Sequence, residues 1–307
     1  ALPKGTPVLV VETPPEIRAA YGISEDRARV PKGMRAWYSW LEDFPPKQAG
    51  TQDGPGTIIY TSGTTGRPKG VRRKPPTPEE AAASSAIMSR GFGFTEWLDR
   101  PEQIVSAIVG PMYHSAPNAY GLSSTRLGAN VILQPRFDAE ELLQLIEKHR
   151  ITHIHMVPIM FNRLLKLPDA VKTKYDLSSL KFIIHAAAPV SPPIKRAMIE
   201  WWGPVINEYY GSTEVGIVVF CDAEQWLAHP GTVGKPLPES DVRVVDASGN
   251  TLAPREIGEV LARTRTIADF TYHKDDQKRR DSEKAGLIAP GDVGYFDEDG
   301  FLYLCDR

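Results

Sequence analysis

Between residues 103 and 209, short apolar runs rich in β-branched residues alternate with stretches patterned as capped helices, and this alternation limits the fold more than any other feature of the chain. The runs cover 103–109, 131–133, 151–157, 180–184 and 205–209. They are continuously apolar rather than alternating, as strands buried on both faces must be. The stretches between them carry helix signals. Asp138-Ala139-Glu140-Glu141 is a capping signature, and the helix it opens sets Leu142, Leu145 and Ile146 on one stripe. That helix ends in Lys148-His149-Arg150, cationic where the helix dipole favours positive charge. A helix is expected over 158–167, and Ser191-Pro192 opens another that reaches about Trp202. Upstream, Thr77-Pro78-Glu79-Glu80 joins an N-cap, a proline at the first helical position and a glutamate at the third, ahead of an alanine-rich helix to about Ser89. The expectation is an α/β fold with a mainly parallel sheet covered by helices. Ligands of such sheets sit at the C-terminal ends of the strands.

The two ends of the chain differ from this middle. Residues 6–12 read as a short strand, 37–41 as a helical turn, and 47–56 as a polar connection into an apolar run at 57–60. After about Gly231 the pattern turns antiparallel: 242–245 and 258–262 flank a turn at Ala247-Ser248-Gly249-Asn250, and 293–296 and 301–304 form a hairpin through Asp297-Glu298-Asp299-Gly300. We therefore expect residues 1–56 to be the remnant of an N-terminal subdomain with its connection, 57–230 the α/β subdomain, and 231–307 a smaller β-rich, barrel-like subdomain.

A formal charge of −2 and the lack of a long basic run give no electrostatic footprint for nucleic acid or an anionic membrane. The short Arg72-Arg73-Lys74 cluster reads as a solvated loop edge. Cys221 and Cys305 lie far apart without metal-ligand spacing, which points away from a disulfide framework or zinc site and towards a cytoplasmic setting. No apolar run approaches the roughly 18–20 residues that span a bilayer. The chain starts at Ala1 without an initiator Met, as a fragment or processed form would.

Chemistry concentrates in a few segments. Residues 60–71 (YTSGTTGRPKGV) follow an expected strand and gather Thr61, Ser62, Thr64 and Thr65 around Gly63 and Gly66, with Lys69 beyond. Glycines let backbone N–H groups approach an anion, hydroxyls donate to phosphate oxygens, and a lysine supplies charge. The spacing is not that of a Walker A loop, because Pro68 precedes Lys69 and Gly70 follows it. Ala186-Ala187-Ala188-Pro189 after the run at 180–184 is a small-residue loop ahead of a helix. The segment 207–214 (NEYYGSTE), read alone, is equally well a turn with a helix cap or a ligand loop. His114, within Pro111–Pro117 after the run at 103–109, stands where a buried strand gives way to a loop. His153 and His155 alternate within 151–157 and are read as strand residues rather than a metal pair.

The order of these segments resembles the adenylate-forming (AMP-binding) superfamily, which includes acyl-CoA synthetases, aryl-acid–CoA ligases, peptide-synthetase adenylation domains and luciferases. The resemblance runs over roughly residues 6–307. It implies that Thr61, Ser62, Gly63, Thr64, Thr65, Gly66 and Lys69 hold the phosphates of ATP, and that Ala187, Ala188 and Pro189 line the adenine. Within 207–214 it implies nucleotide contacts from Glu208, Tyr209, Tyr210 and Gly211, with Tyr210 stacked on adenine, Thr213 on the α-phosphate and Glu214 holding Mg²⁺. It further implies that Asp292 and Arg307 contact the ribose and that His114 flanks the acid. Lys69, His114, Thr213 and Glu214 are thus the catalytic candidates. Ala187 stands where glycine is common, and Pro290 where a threonine is usual.

The resemblance implies an ATP-dependent acid–CoA ligase of the acyl-CoA synthetase branch, with ATP, Mg²⁺ and coenzyme A as cofactors and a small carboxylic acid as substrate. It further implies that a C-terminal domain, with its own lysine, lies beyond Arg307 in the full-length protein, and leaves a homodimer open. The alternatives are a peptide-synthetase adenylation domain and a non-catalytic ATP-binding module. Residues 155–161 offer no acidic side chain to pair an α-amino group, which favours an acid without an amine.

Overall fold

In the computed structural model, which describes residues 5–45, 58–61 and 68–306, chain contacts divide the protein after Pro55. In the first unit, strands β1 (Leu9–Val10) and β2 (Arg35–Ala36) pair in parallel beside helices α1 (Pro15–Tyr21), α2 (Glu25–Ala28) and α3 (Trp37–Leu41). The strand expected over 6–12 shrinks to two residues. None of the three helices buries a side chain fully, so this unit has little core to extend a strand against.

The second unit opens with an antiparallel pair, β3 (Ile58–Thr61) and β4 (Lys69–Arg73), with Thr61 opposite Lys69. Arg72 and Arg73 are therefore strand residues, which corrects their reading as a solvated loop edge. Helix α4 (Pro78–Gly91) follows with the expected capping box: the Glu80 N–H donates to Thr77 Oγ1 at 3.2 Å and the Thr77 N–H to Glu80 Oε2 at 2.8 Å.

The alternating middle then builds β5 (Val105–Ile108), α5 (Ser115–Leu127), β6 (Asn130–Leu133), α6 (Ala139–His149), β7 (His153–Met156), α7 (Pro158–Leu165), α8 (Asp169–Lys172), β8 (Phe182–His185), α9 (Pro192–Trp202) and β9 (Ile206–Ser212). These five strands lie parallel in the order β6-β5-β7-β8-β9; β10 (Gly216–Cys221) and, after α10 (Ala223–Ala228), β11 (Lys235–Pro236) add antiparallel at the far edge. The chain steps from β5 outwards to β6, then returns past β5 to β7. That reversal opens a crevice at the C-terminal ends of β5 and β7, where a doubly wound sheet binds its ligand.

Side chains alternate across the sheet. Ile154 and Met156 pack with Leu142, Ile146, Phe161 and Met198 of α6, α7 and α9, all wholly buried. On the opposite face Phe92, Phe94 and Tyr120 form the cover, against which His153 and His155 make ring contacts. His153 Nε2 lies 3.1 Å from the Gly93 carbonyl and His155 Nε2 3.1 Å from the Tyr209 hydroxyl, so both are core residues of the strand. Burial lowers the pKa of each to about 4.

The remaining strands are β12 (Ser240–Val245), β13 (Gly258–Thr264), β14 (Phe270–Tyr272), and, after α11 (Asp276–Asp281), β15 (Glu283–Lys284), β16 (Leu287–Ile288), β17 (Val293–Phe296) and β18 (Leu302–Asp306). They form an antiparallel sheet in the order β15-β16-β13-β17-β18 with β12 on β13. The exception is β14, which pairs back onto β4 with Phe270 opposite Arg73 and Tyr272 opposite Val71. The boundary drawn at residue 230 is thus crossed twice, by β11 in the large sheet and by β14 beside β4. A shared core of Val71, Tyr210, Val215, Val260, Phe270 and Tyr272 packs where the sheets meet. No helix among the described residues is long and apolar enough to cross a membrane.

The segment 207–214 proves to be a strand running into a tight hairpin, not a helix cap. Ser212 pairs with Gly216 and Gly211 with Ile217 across the β9–β10 turn. A side chain on Gly211 would collide with the Gly216 carbonyl oxygen, a backbone atom that cannot step aside. Gly211→Ala should therefore destabilise the protein by about 1–3 kcal/mol, as overpacking does, read as a lowered thermal midpoint. An unchanged midpoint would contradict this account of the glycine.

Candidate active site

Three strand ends bring their loops to one rim. After β5, His114 takes the extended N-cap position of α5 (φ −85°, ψ 145°), exposed and beside the Tyr113 ring at 4.7 Å. After β8, Ala187, Ala188 and Pro189 are exposed, and Ala187 adopts φ 76°. That conformation belongs to glycine, so an alanine there holds strain and only a small side chain is tolerable. After β9 comes the turn with Thr213 and Glu214. The Ser115 and Thr213 hydroxyls meet at 3.2 Å, which joins the loop of His114 to that turn.

Glu214 is nearly buried and is held from the small sheet. Lys69 Nζ lies 3.0 Å from Glu214 Oε1, the Tyr272 hydroxyl donates to the same oxygen at 3.0 Å, and Lys69 Nζ donates to the Tyr272 oxygen at 2.9 Å. Burial opposes both charges, yet each partner outweighs it. The Lys69 pKa is raised because Tyr272 and Glu214 favour the cation, and the Glu214 pKa is lowered chiefly because Lys69 favours the carboxylate. Burial, the largest cause, raises the Tyr272 phenol.

The turn's backbone is tied equally closely. Ser212 Oγ accepts from the N–H groups of Glu214 and Val215 at 3.2 and 3.3 Å. Arg73 Nη2 donates to the carbonyls of Thr213 and Glu214 at 2.9 and 3.0 Å, while its Nη1 donates to Ala268 at 2.9 Å. Thr264 Oγ1 donates to the Val215 carbonyl at 2.8 Å. Beside the turn, the Tyr210 hydroxyl donates to Asp292 Oδ2 at 2.7 Å. Lys69, Thr213, Glu214, Tyr210 and Asp292 are therefore linked through one hairpin end.

Two residues of the same segment face elsewhere. Glu208 is buried, with Lys195 Nζ donating to its Oε2 at 2.6 Å, and Tyr209 is buried against His155. Burial raises the Glu208 pKa although Lys195 opposes the rise. Thr61 Oγ1 is buried with no hydrogen-bond partner among the described residues, at the start of the hydroxyl loop. Ser62, Gly63, Thr64, Thr65, Gly66 and Arg307 lie outside the described residues.

No group of three or more His, Cys, Asp or Glu side chains among the described residues could hold a metal. A cation here would have one carboxylate, Glu214, and the Thr213 hydroxyl. Such hard oxygen donors suit Mg²⁺, which binds through one or two carboxylates plus substrate phosphates and water. Lys69 and Tyr272 both converge on Oε1 of Glu214.

Tyr272, Arg73 and Ser115 were not among the residues singled out as site candidates. Tyr272 and Arg73 reach the turn only through the β4–β14 pairing, which no local pattern announces. Ser115 directly follows His114 at the first position of α5, a signal that was available.

The chain matches the AMP-binding enzyme family over residues 2–270. Among curated proteins it is similar to the 2-succinylbenzoate–CoA ligase of Bacillus velezensis, at 31% identity over 86% of this chain and 51% of that protein. It is also similar to the long-chain-fatty-acid–CoA ligase of Bacillus subtilis, at 30% identity over 81% of this chain and 43% of that protein. Among solved structures it resembles O-succinylbenzoate coenzyme A synthetase (MenE) from Bacillus subtilis in complex with ATP and magnesium ion: TM-score 0.69 and 29% identity over 81% of this chain and 49% of that one. The chain spans about half the length of the curated relatives it matches.

The pKa directions give a test. A depressed Glu214 contributes stability that is present above its ordinary value of 4.5 and is lost as pH falls through its lower folded value. A raised Lys69 contributes stability that is present below 10.5 and is lost as pH rises through its higher folded value. Thermal midpoints of wild type and Glu214→Gln should therefore differ most at neutral pH and converge as pH falls below 4.5. A gap that persists unchanged into acid would refute the ion pair as the cause.

Proposed function

Because the chain belongs to the AMP-binding enzyme family, we propose that it carries the ATP site and the acid site of an ATP-dependent acid–CoA ligase. The observation that carries this reading is the hairpin end at Thr213 and Glu214. Its hydroxyl meets Ser115 next to His114, and its carboxylate meets Lys69 at the end of the hydroxyl loop. Groups suited to an acid, a phosphate and a cation thus stand within reach of one turn.

In this mechanism the substrate carboxylate, flanked by His114, attacks the α-phosphorus of ATP in line. The bond to the leaving pyrophosphate breaks, and pyrophosphate takes the electron pair, leaving acyl-AMP. Attack needs two anions held close and aligned, so the contribution is chiefly positioning and charge stabilisation. Thr213 donates to the α-phosphate, and Lys69 leaves Glu214 for the phosphates. Glu214 would hold Mg²⁺, which when bound neutralises phosphate charge. Tyr210, whose hydroxyl reaches Asp292, and the small loop at Ala187–Pro189 would bound the adenine, and Asp292 would accept the ribose hydroxyls. The coenzyme A thiol then attacks the acyl carbon, loses its proton and displaces AMP as a thioester forms.

The relatives named above act on unlike acids, so the acid is not chosen by similarity. His155 and Phe161 are buried, and 155–161 contains no carboxylate, which supports an acid without an α-amino group. The test is acid-dependent exchange of labelled pyrophosphate into ATP, across fatty, aryl and alicyclic acids. At least one acid should support exchange, and Glu214→Ala should lower it by about 10²-fold, as loss of a transition-state contact does. ATP binding without exchange for any acid would favour a non-catalytic nucleotide module, and an unchanged rate in Glu214→Ala would remove its role.

A further inference from the structure

We propose that Arg73 is a positioning residue for this ATP site, holding the Thr213–Glu214 turn in the conformation that presents the hydroxyl and the carboxylate together. The inference rests on the proposed nucleotide reading and adds a residue to it.

Three successive carbonyls of the turn, at Thr213, Glu214 and Val215, each accept a side-chain donor from another sheet. Arg73 supplies the first two from one nitrogen and is anchored by the other to Ala268, so its planar fork spans the gap between the turn and the start of β14. The strand that carries the donor is paired on both sides. Arg73 sits in β4 between β3 and β14, and its position is set by the Phe270 register. Residues two apart on a strand share a face, so Lys69, Val71 and Arg73 line one side of β4. Val71 packs into the core between sheets, Lys69 reaches the Glu214 side chain, and Arg73 reaches the Glu214 main chain. The strand that ends the hydroxyl loop therefore grips the turn at two points. With those carbonyls drawn towards Arg73, the Glu214 and Val215 N–H groups remain on Ser212 and the turn has no free alternative.

Charge and position make opposite predictions. The Arg73 cation favours the Glu214 carboxylate and repels a divalent cation near it. If charge were its whole role, a neutral variant would bind a metal nucleotide more tightly. If it positions the turn, any variant without the fork should bind less tightly. Arg73→Lys keeps the charge, but a single ammonium cannot reproduce the fork, so lysine should not rescue.

The experiment uses the full chain with Mn²⁺ and ATP, bound Mn²⁺ being read by electron paramagnetic resonance. Arg73→Lys should weaken Mn²⁺·ATP binding by about 10-fold or more, the range for groups that support a metal ligand, and by clearly more than it weakens metal-free ATP, which loses only the Thr213 contact. Retained metal-free binding also shows that the variant is folded. Arg73→Gln should weaken Mn²⁺·ATP as well and serves in place of lysine if that variant does not fold. Wild-type affinity in Arg73→Lys, or tighter binding in Arg73→Gln, overturns the positioning role. Failure of wild type to bind ATP at all would instead strike the nucleotide reading and take this inference with it.

Discussion

The contact between Lys69, Tyr272 and Glu214 is the interaction on which the site depends, because it joins three chain segments that lie far apart in sequence. Lys69 and Tyr272 are 203 residues apart, and they meet only because β14 leaves the C-terminal sheet to pair with β4. An ion pair this enclosed would be costly if either charge lacked a partner. Here the phenol bonds both members, and its ring also lies 4.7 Å from the Lys69 ammonium. Burial alone would raise the Glu214 pKa, but Lys69 outweighs it and holds the value below the ordinary one, so the carboxylate is ionised.

The crossing strands also tie the large sheet to the sheets that follow it. β11 finishes the large sheet and β14 finishes the small one, although both lie after residue 230. The shared core around Val71, Tyr210 and Tyr272 is assembled from all of these sheets. The pairing of β14 with β4 sets Arg73 and Lys69, whose side chains cross to the hairpin of the large sheet. β4 and the hairpin are joined through Arg73 and Lys69 despite their separation in the sequence.

What could be read from the sequence was what local physics controls. The parallel strands and their helices were legible because burial on both faces leaves continuous apolar runs and because Thr77 and Asp138 cap their helices with side-chain oxygens. The hairpin over 293–304 was legible from Asp297, whose carboxylate accepts the N–H groups of Asp299 and Phe301 in the turn. The antiparallel partner β4 was not, because its KGVRR sequence is dominated by charge. Only the alternation of Lys69, Val71 and Arg73 marks its inward face, and three positions are too few to outweigh two adjacent arginines. The contact of Tyr272 with Glu214 was likewise not legible, since it comes from a non-local register.

The segment 207–214 shows how strand geometry divides a motif between structure and chemistry. Successive side chains on β9 must point to opposite faces, so a run of eight residues cannot all serve one ligand. Glu208 turns into the helix-covered face, where Lys195 neutralises it, and Tyr209 turns into the other, where its hydroxyl meets His155. From Tyr210 onward the strand runs into the tight turn that Gly211 permits, and there the Tyr210 hydroxyl reaches Asp292 and Thr213 reaches Ser115. The buried Lys195–Glu208 pair lies beside His185 of the neighbouring strand, whose Nε2 is 3.5 Å from Glu208 Oε2. Burial and the Lys195 charge hold the His185 pKa well below its ordinary value, so the imidazole stays neutral there. Its neighbour strand therefore carries one ion pair rather than three competing charges.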